Sequence, residues 1–139
     1  MHQTIFMKKL LTLSVAIFCT IVMCYAEVIK LQATSFAFKS QNDYGYWSDW
    51  SDWEESSCLI VINADNDRIN IYSKVPQEYD IYDYEGESSD NKGGTQFTFK
   101  CIDEDGLRCT IRFRVQSDGG RQLYVDYADM MWVYNVVNK

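Results

Sequence analysis

The chain has 139 residues, with 13 basic against 20 acidic side chains and a net charge of −7. An acidic balance of this size disfavours nucleic acid and anionic membrane as partners, because both are themselves strongly negative. The one histidine, His2, falls in a segment expected to be removed, so histidine-dependent triads and histidine-ligated zinc lack their key side chain.

Lys8 and Lys9 precede an uncharged run over residues 10–23, and Cys24, Tyr25 and Ala26 follow before the first acidic residue, Glu27. A basic start, an apolar stretch short of the roughly 20 residues a membrane span needs, and small residues at 24 and 26 predict a secretory signal peptide cleaved after Ala26. Translation would start at Met1 or at Met7. A lipid anchor on Cys24 is disfavoured, since bulky Met23 stands before it. Residues 1–26 are therefore assigned to the signal peptide and 27–139 to a single exported domain, periplasmic or extracellular, with no transmembrane span and enough chain for one core. Losing Lys8 and Lys9 leaves 11 basic side chains against 20 acidic ones, a charge of −9. Cys58, Cys101 and Cys109 remain, an odd number that leaves one thiol over after any bridge.

Residues 27–39 alternate as a strand, with Ile29, Leu31 and Ala33 on one face until Phe36 and Phe38 shift the phase; a bulge near Ser35 accounts for the shift. Residues 40–45 form a polar loop. Trp47-Ser48-Asp49-Trp50-Ser51-Asp52-Trp53 then repeats a three-residue unit whose period matches neither strand nor helix. Residues 58–63 and 68–73 make a hairpin whose four-residue loop sets Ile62 opposite Ile69, Ile60 opposite Ile71 and Cys58 opposite Ser73, pointing Cys58 inward. Pro76 marks a break. Residues 78–85 resume as a strand with Tyr79 and Ile81 on one face and Asp80, Tyr82 and Tyr84 on the other, and residues 86–94 read as a flexible loop.

Residues 95–103 and 107–115 are two alternating runs around Glu104-Asp105-Gly106. A three-residue loop with Gly at its left-handed position sets Cys101 opposite Cys109, Phe99 opposite Ile111 and Phe97 opposite Phe113. One face is wholly apolar, and the other carries Lys100, Arg108, Arg112 and Arg114. A similar loop at residues 117–121, with Gly120 left-handed, would set Leu123 opposite Val115, Val125 opposite Phe113 and Arg112 opposite Asp126. Residues 130–137 form the last strand. No window of 27–139 has the apolar spacing of a surface helix.

Seven to eight short strands joined mainly by tight turns predict an all-β fold: a small antiparallel meander, closed or nearly closed into a barrel. A two-sheet β-sandwich is the alternative, disfavoured because its long crossings have little room here.

Ser35-Phe36-Ala37-Phe38-Lys39, the Trp repeat at 47–53, Asp67-Arg68-Ile69 with Ile71-Tyr72-Ser73, the hairpin of Cys101, Asp105-Gly106 and Cys109, and Gln122-Leu123-Tyr124 through Asp126-Tyr127 to Tyr134-Asn135 together resemble a group of short, uncharacterised secreted proteins of Bacteroidales-type bacteria. The resemblance spans most of residues 27–139. It implies an extracytoplasmic bacterial setting and transfers no activity or catalytic residue.

Three Trp within seven residues, beside Tyr44 and Tyr46, are the candidate binding residues. Large rings present contact area at little entropic cost, which suits a protein or glycan ligand. The competing reading places Trp50 or its neighbours inside the barrel as an end plug. Asn63-Ala64-Asp65-Asn66-Asp67 spaces its oxygens like a calcium loop, but Arg68 stands where Gly is required and Lys74 where a bidentate Glu is required, so it reads as a turn. Glu78, Asp80, Asp83, Glu85 and Glu87 could serve a carboxylate-dependent glycan hydrolase, yet their clustering fits solvated surface better. No catalytic, metal or cofactor-binding residue is assigned. The basic outer row is expected to be balanced by neighbouring strands. Facing Cys101 and Cys109 are expected to form a disulfide in an oxidising compartment, leaving Cys58 a buried thiol. The functional expectation is a secreted, non-enzymatic binding module working through the aromatic segment; the alternative is a structural or accessory envelope protein with its aromatics in the core.

Overall fold

A computed structural model describes residues 28–139; the expected signal peptide, with His2, Cys24 and both candidate starts, lies outside the described residues. The described chain forms eight strands and no helix: β1 (Val28–Ser40), β2 (Glu54–Asn63), β3 (Arg68–Ile71), β4 (Gln77–Ser89), β5 (Thr95–Asp103), β6 (Arg108–Val115), β7 (Arg121–Asp126) and β8 (Met130–Asn138). Each strand pairs antiparallel with the next, and β8 pairs with β1, which closes the meander into a barrel. Closure gives the ladder groups of both end strands a partner and so removes the edges on which such sheets aggregate. The sandwich alternative is excluded.

Inward positions carry the core. Leu31, Ile60, Ile62, Ile69, Ile71, Ile111, Leu123 and Val125 are completely buried, with Phe97 and Phe99 nearly so. The period-two alternation of each strand puts these side chains on one face. The bulge expected near Ser35 is present between Ala33 and Ser35, and it returns Phe36 to the interior after Leu31 and Ala33. The central hairpin has the expected register, with Cys101↔Cys109, Phe99↔Ile111 and Phe97↔Phe113, and Gly106 at φ 81°. Asp103 fixes that turn: its Oδ1 accepts the N–H groups of Asp105 and Leu107, both at 2.9 Å.

Three expectations are corrected. β4 continues through Gly86 to Ser89, leaving only residues 90–94 as its loop, and irregularities at Ile81/Asp83 and Tyr84/Gly86 restart its alternation. Tyr84 is therefore a core side chain rather than an outward one, 4% exposed and 5.0 Å from Phe99 between ring centroids. A bulge inserts one unpaired residue, which strict alternation in the sequence cannot reveal. The β6–β7 turn forms one residue earlier than expected: Gly119 takes the left-handed conformation at φ 90°, and Gln116 N–H bonds to Gly120 C=O at 2.7 Å. The register becomes Phe113↔Leu123, Ile111↔Val125 and Arg112↔Tyr124. A shift of two keeps every face, so the apolar set stays inside. Finally, β3 ends at Ile71, so Cys58 and Ser73 are not ladder partners, although Cys58 does point inward and is buried.

Candidate binding face

The Trp segment lies along the outside of the barrel. β2 accompanies β1 only as far as Phe36↔Glu54, and beyond that point residues 47–53 take over as the neighbour of β1. Ser48 donates its N–H to Ser40 C=O at 2.8 Å while its Oγ accepts Ser40 N–H at 3.1 Å. Ser51 repeats the pattern on Phe38, with 2.8 Å and 2.9 Å. Residues 48, 51 and 54 thus meet 40, 38 and 36. A three-residue step in the segment matches a two-residue step in β1, which explains a repeat that fits neither strand nor helix. Each serine hydroxyl stands in for the backbone acceptor that the extra residue carries out of register.

This arrangement leaves every Trp of the repeat on the outer wall, so the end-plug reading does not hold. Trp47 and Trp50 are each 39% exposed and Trp53 51%. Lys39, outward on β1, places its Nζ 5.4 Å from the Trp47 ring centre and 4.8 Å from that of Trp50. Trp50 also meets Tyr124 of β7 edge-on at 6.3 Å. Between Lys39 and Tyr124 the outward positions are Ala37 and Val133, aligned with Tyr124 through Ala37↔Val133 and Val133↔Tyr124. Both are nearly buried, at 2% and 3%, yet stand outside the interior cluster. Trp50 roofs this small external core. Tyr44 and Tyr46, 86% and 73% exposed, ride on a turn in which Asn42 Oδ1 accepts both of their N–H groups. Asp49 and Asp52 interleave exposed carboxylates with the rings.

The five candidate residues therefore share one loop, with Tyr44 and Tyr46 on its turn and the three Trp along β1. Sequence reading missed Lys39, Tyr124, Ala37 and Val133, which complete the face. Their available signal was a pair of apolar residues, Ala37 and Val133, at outward positions of strands whose inward sets were already apolar.

Three of the four side chains of the basic row are balanced by neighbouring carboxylates, as expected, and Arg108 lies over a ring instead. Arg112 forms an ion pair with Asp126, diagonally across the ladder, and lies 4.2 Å over the Tyr124 ring. Arg114 holds Asp90 at 2.7 Å, Lys100 reaches Glu85 at 4.0 Å, and Arg108 covers Tyr82. On β4, Glu78 and Asp80 both engage Arg68. Asn63 caps the expected turn, its Oδ1 accepting the N–H groups of Asp65 and Asn66. No cluster of metal-ligating side chains occurs among the described residues.

The expected Cys101–Cys109 disulfide is absent: Cys58, Cys101 and Cys109 are all buried free thiols. The register brings the pair together, but at a wide site. Asp103 N–H bonds to Leu107 C=O at 2.9 Å, so by alternation Cys101 and Cys109, two positions further, form a hydrogen-bonded pair. Such pairs have Cα atoms about 5.5 Å apart and Cβ atoms beyond the roughly 4.5 Å that a disulfide tolerates. Burial pushes all three thiols upward, Cys109 to about 11. Tyr127 donates its hydroxyl to Asp103 at 2.7 Å, and with the Leu107 and Asp105 N–H groups it holds that carboxyl below the usual range.

Comparison of the chain with protein-family models, with curated proteins and with solved structures finds no match.

Proposed function

We propose that this protein is a secreted, non-enzymatic binding module that recognises a protein or glycan through the Trp47 to Trp53 face. One observation carries the reading: three half-exposed indoles stand outside the barrel's buried core, which includes none of them. Large half-exposed rings in a row are costly to leave in water and offer stacking area at low entropic cost. Asp49 and Asp52, spaced between the rings, supply acceptors for hydroxyl groups, which favours a glycan over an apolar protein surface. Export is supported by the composition of residues 8–26.

The test is binding to an array of soluble polysaccharides and to native envelope extract, for the wild-type chain and for Trp47→Ala and Trp53→Ala. Retention lost in either variant at unchanged thermal stability supports the reading; equal retention by all three proteins overturns it. A structural role is favoured by a different observation, the seating of Trp50 over Ala37 and Val133, and predicts that Trp50 alone matters, through stability.

A further inference from the structure

β3 is only four residues long, so its ladder covers Ile60–Asn63 of β2, and after the bond from Tyr72 N–H to Leu59 C=O at 2.9 Å residues 54–58 of that strand have no ladder partner on this side. The connection through Ser73 to Pro76 stands away from them. Between the two, the wall opens into a cavity of about 610 Å³ that reaches the inner faces of β1 and β8. Phe36, Phe38, Met130 and Trp132 supply apolar walls, and Cys58 and Tyr134 close the inner end. A cavity of this size suits a drug-sized molecule.

Two polar groups in this cavity are unspent. The indole Nε1–H of Trp132 is buried with no hydrogen-bond partner among the described residues, and burial pushes the Tyr134 phenol above its ordinary range, keeping it a neutral donor. Tyr134 accepts a hydrogen bond from Gln77 Nε2 at 3.1 Å and donates to no acceptor among the described residues. Gln77 has no donor left, since its second amide hydrogen goes to Ser73 Oγ at 3.0 Å, and its Oε1 already accepts from Tyr79 at 2.6 Å. Two convergent donors without an acceptor in an apolar cavity are a deficit that a ligand oxygen would fill. Charged lining is confined to Glu55 and Lys74, both exposed at the rim, so no cation stands inside to compensate a buried carboxylate.

We infer that the notch between β2 and the β3–β4 connection is a binding site for a small, neutral, apolar molecule that presents a carbonyl oxygen to Trp132 and Tyr134. The site is separate from the outer Trp face, and neither reading depends on the other.

The probe is prodan, a neutral naphthyl ketone whose emission shifts to the blue in apolar surroundings. Titrated into the full chain, it should bind saturably at one site. Ser56→Trp, which fills the mouth from an inward position of β2, should abolish binding. Trp132→Phe and Tyr134→Phe each keep a ring and remove one donor, and each should weaken binding roughly tenfold, the worth of one buried hydrogen bond. Should Ser56→Trp not fold, the indole resonance of Trp132 in a proton–nitrogen correlation spectrum, assigned by its loss in Trp132→Phe, reads the site in the wild-type chain and should move on probe binding. No saturable binding, binding that survives Ser56→Trp, or an unmoved Trp132 resonance overturns the site. Binding that neither phenylalanine variant weakens overturns the carbonyl assignment.

Discussion

Trp50 and Trp53 occupy adjacent units of one repeat and do different things. Trp50 covers Ala37 and Val133 and touches Lys39 and Tyr124, so Trp50→Ala uncovers an apolar patch and should destabilise by about 2 kcal/mol, below the 3–5 expected for a fully buried ring. Trp53 has no such roofing role, and Trp53→Ala should cost less than about 1 kcal/mol. Denaturant midpoints of the two variants check the ranking, and equal losses would refute the external core. The cysteines make a second residue-scale prediction. With the three described thiols buried and held above their ordinary range, alkylation of a native chain starting at Glu27 should be slow near neutral pH, and its denaturation without reductant should release three reactive thiols. One reactive thiol after denaturation would show that the wide Cys101↔Cys109 site bridges after all. Cys101↔Cys109 register was legible in the sequence because the turn sets it. The hydrogen-bonded character of the site was not used, and that character decides whether sulfurs in register also meet.

At the scale of an element, the turns carry disproportionate weight. Gly106 sits at φ 81° with open space where a Cβ would point, so the penalty of Gly106→Ala is purely conformational, about 1–2 kcal/mol. An unchanged denaturant midpoint would mean that the hairpin tolerates another turn. Asp103 and Asp90 are held below the ordinary carboxylate range, Asp103 first by the Tyr127 hydroxyl and Asp90 first by the Gly94 N–H. Carboxyls depressed in the folded state stabilise it above their unfolded value, near about 4, and that contribution disappears as pH falls through the folded value. Thermal stability should therefore decline on acidification below about pH 4, and less steeply in Asp103→Asn. A variant with the wild-type slope would remove Asp103 from the account. The turns also mark where sequence reading slipped. Ser117-Asp118-Gly119-Gly120 offers two glycines for one left-handed position, and Asp118, whose Oδ1 accepts Gly120 N–H at 2.8 Å, selects the earlier turn.

For the whole molecule, closure is the central fact. β8 pairs with β1 over residues as far apart as Leu31↔Asn138 and Ser40↔Met130, and with β7 on its other side. A chain ending at residue 129 would bare the edges of both β1 and β7 and remove Tyr134 and Val136 from the core. It should aggregate or remain unfolded, read as loss of the β circular-dichroism signal or elution as large species. A monomeric, folded truncation would show that the first seven strands suffice.

Alternating runs and turn residues by themselves determined the all-β class, the strand order, the central register and the inward direction of Cys58, because a period of two and a tight turn are properties of neighbouring residues. They also put Trp47, Trp50 and Trp53 in one segment. Only the tertiary structure decided that β8 meets β1, that Tyr84 turns inward after a bulge, that serine hydroxyls fit a three-residue repeat to a two-residue strand, and that a four-residue β3 leaves a gap over Trp132 and Tyr134. Each of these depends on which backbone groups find partners across the barrel, and a partner far away in sequence leaves no trace in local pattern.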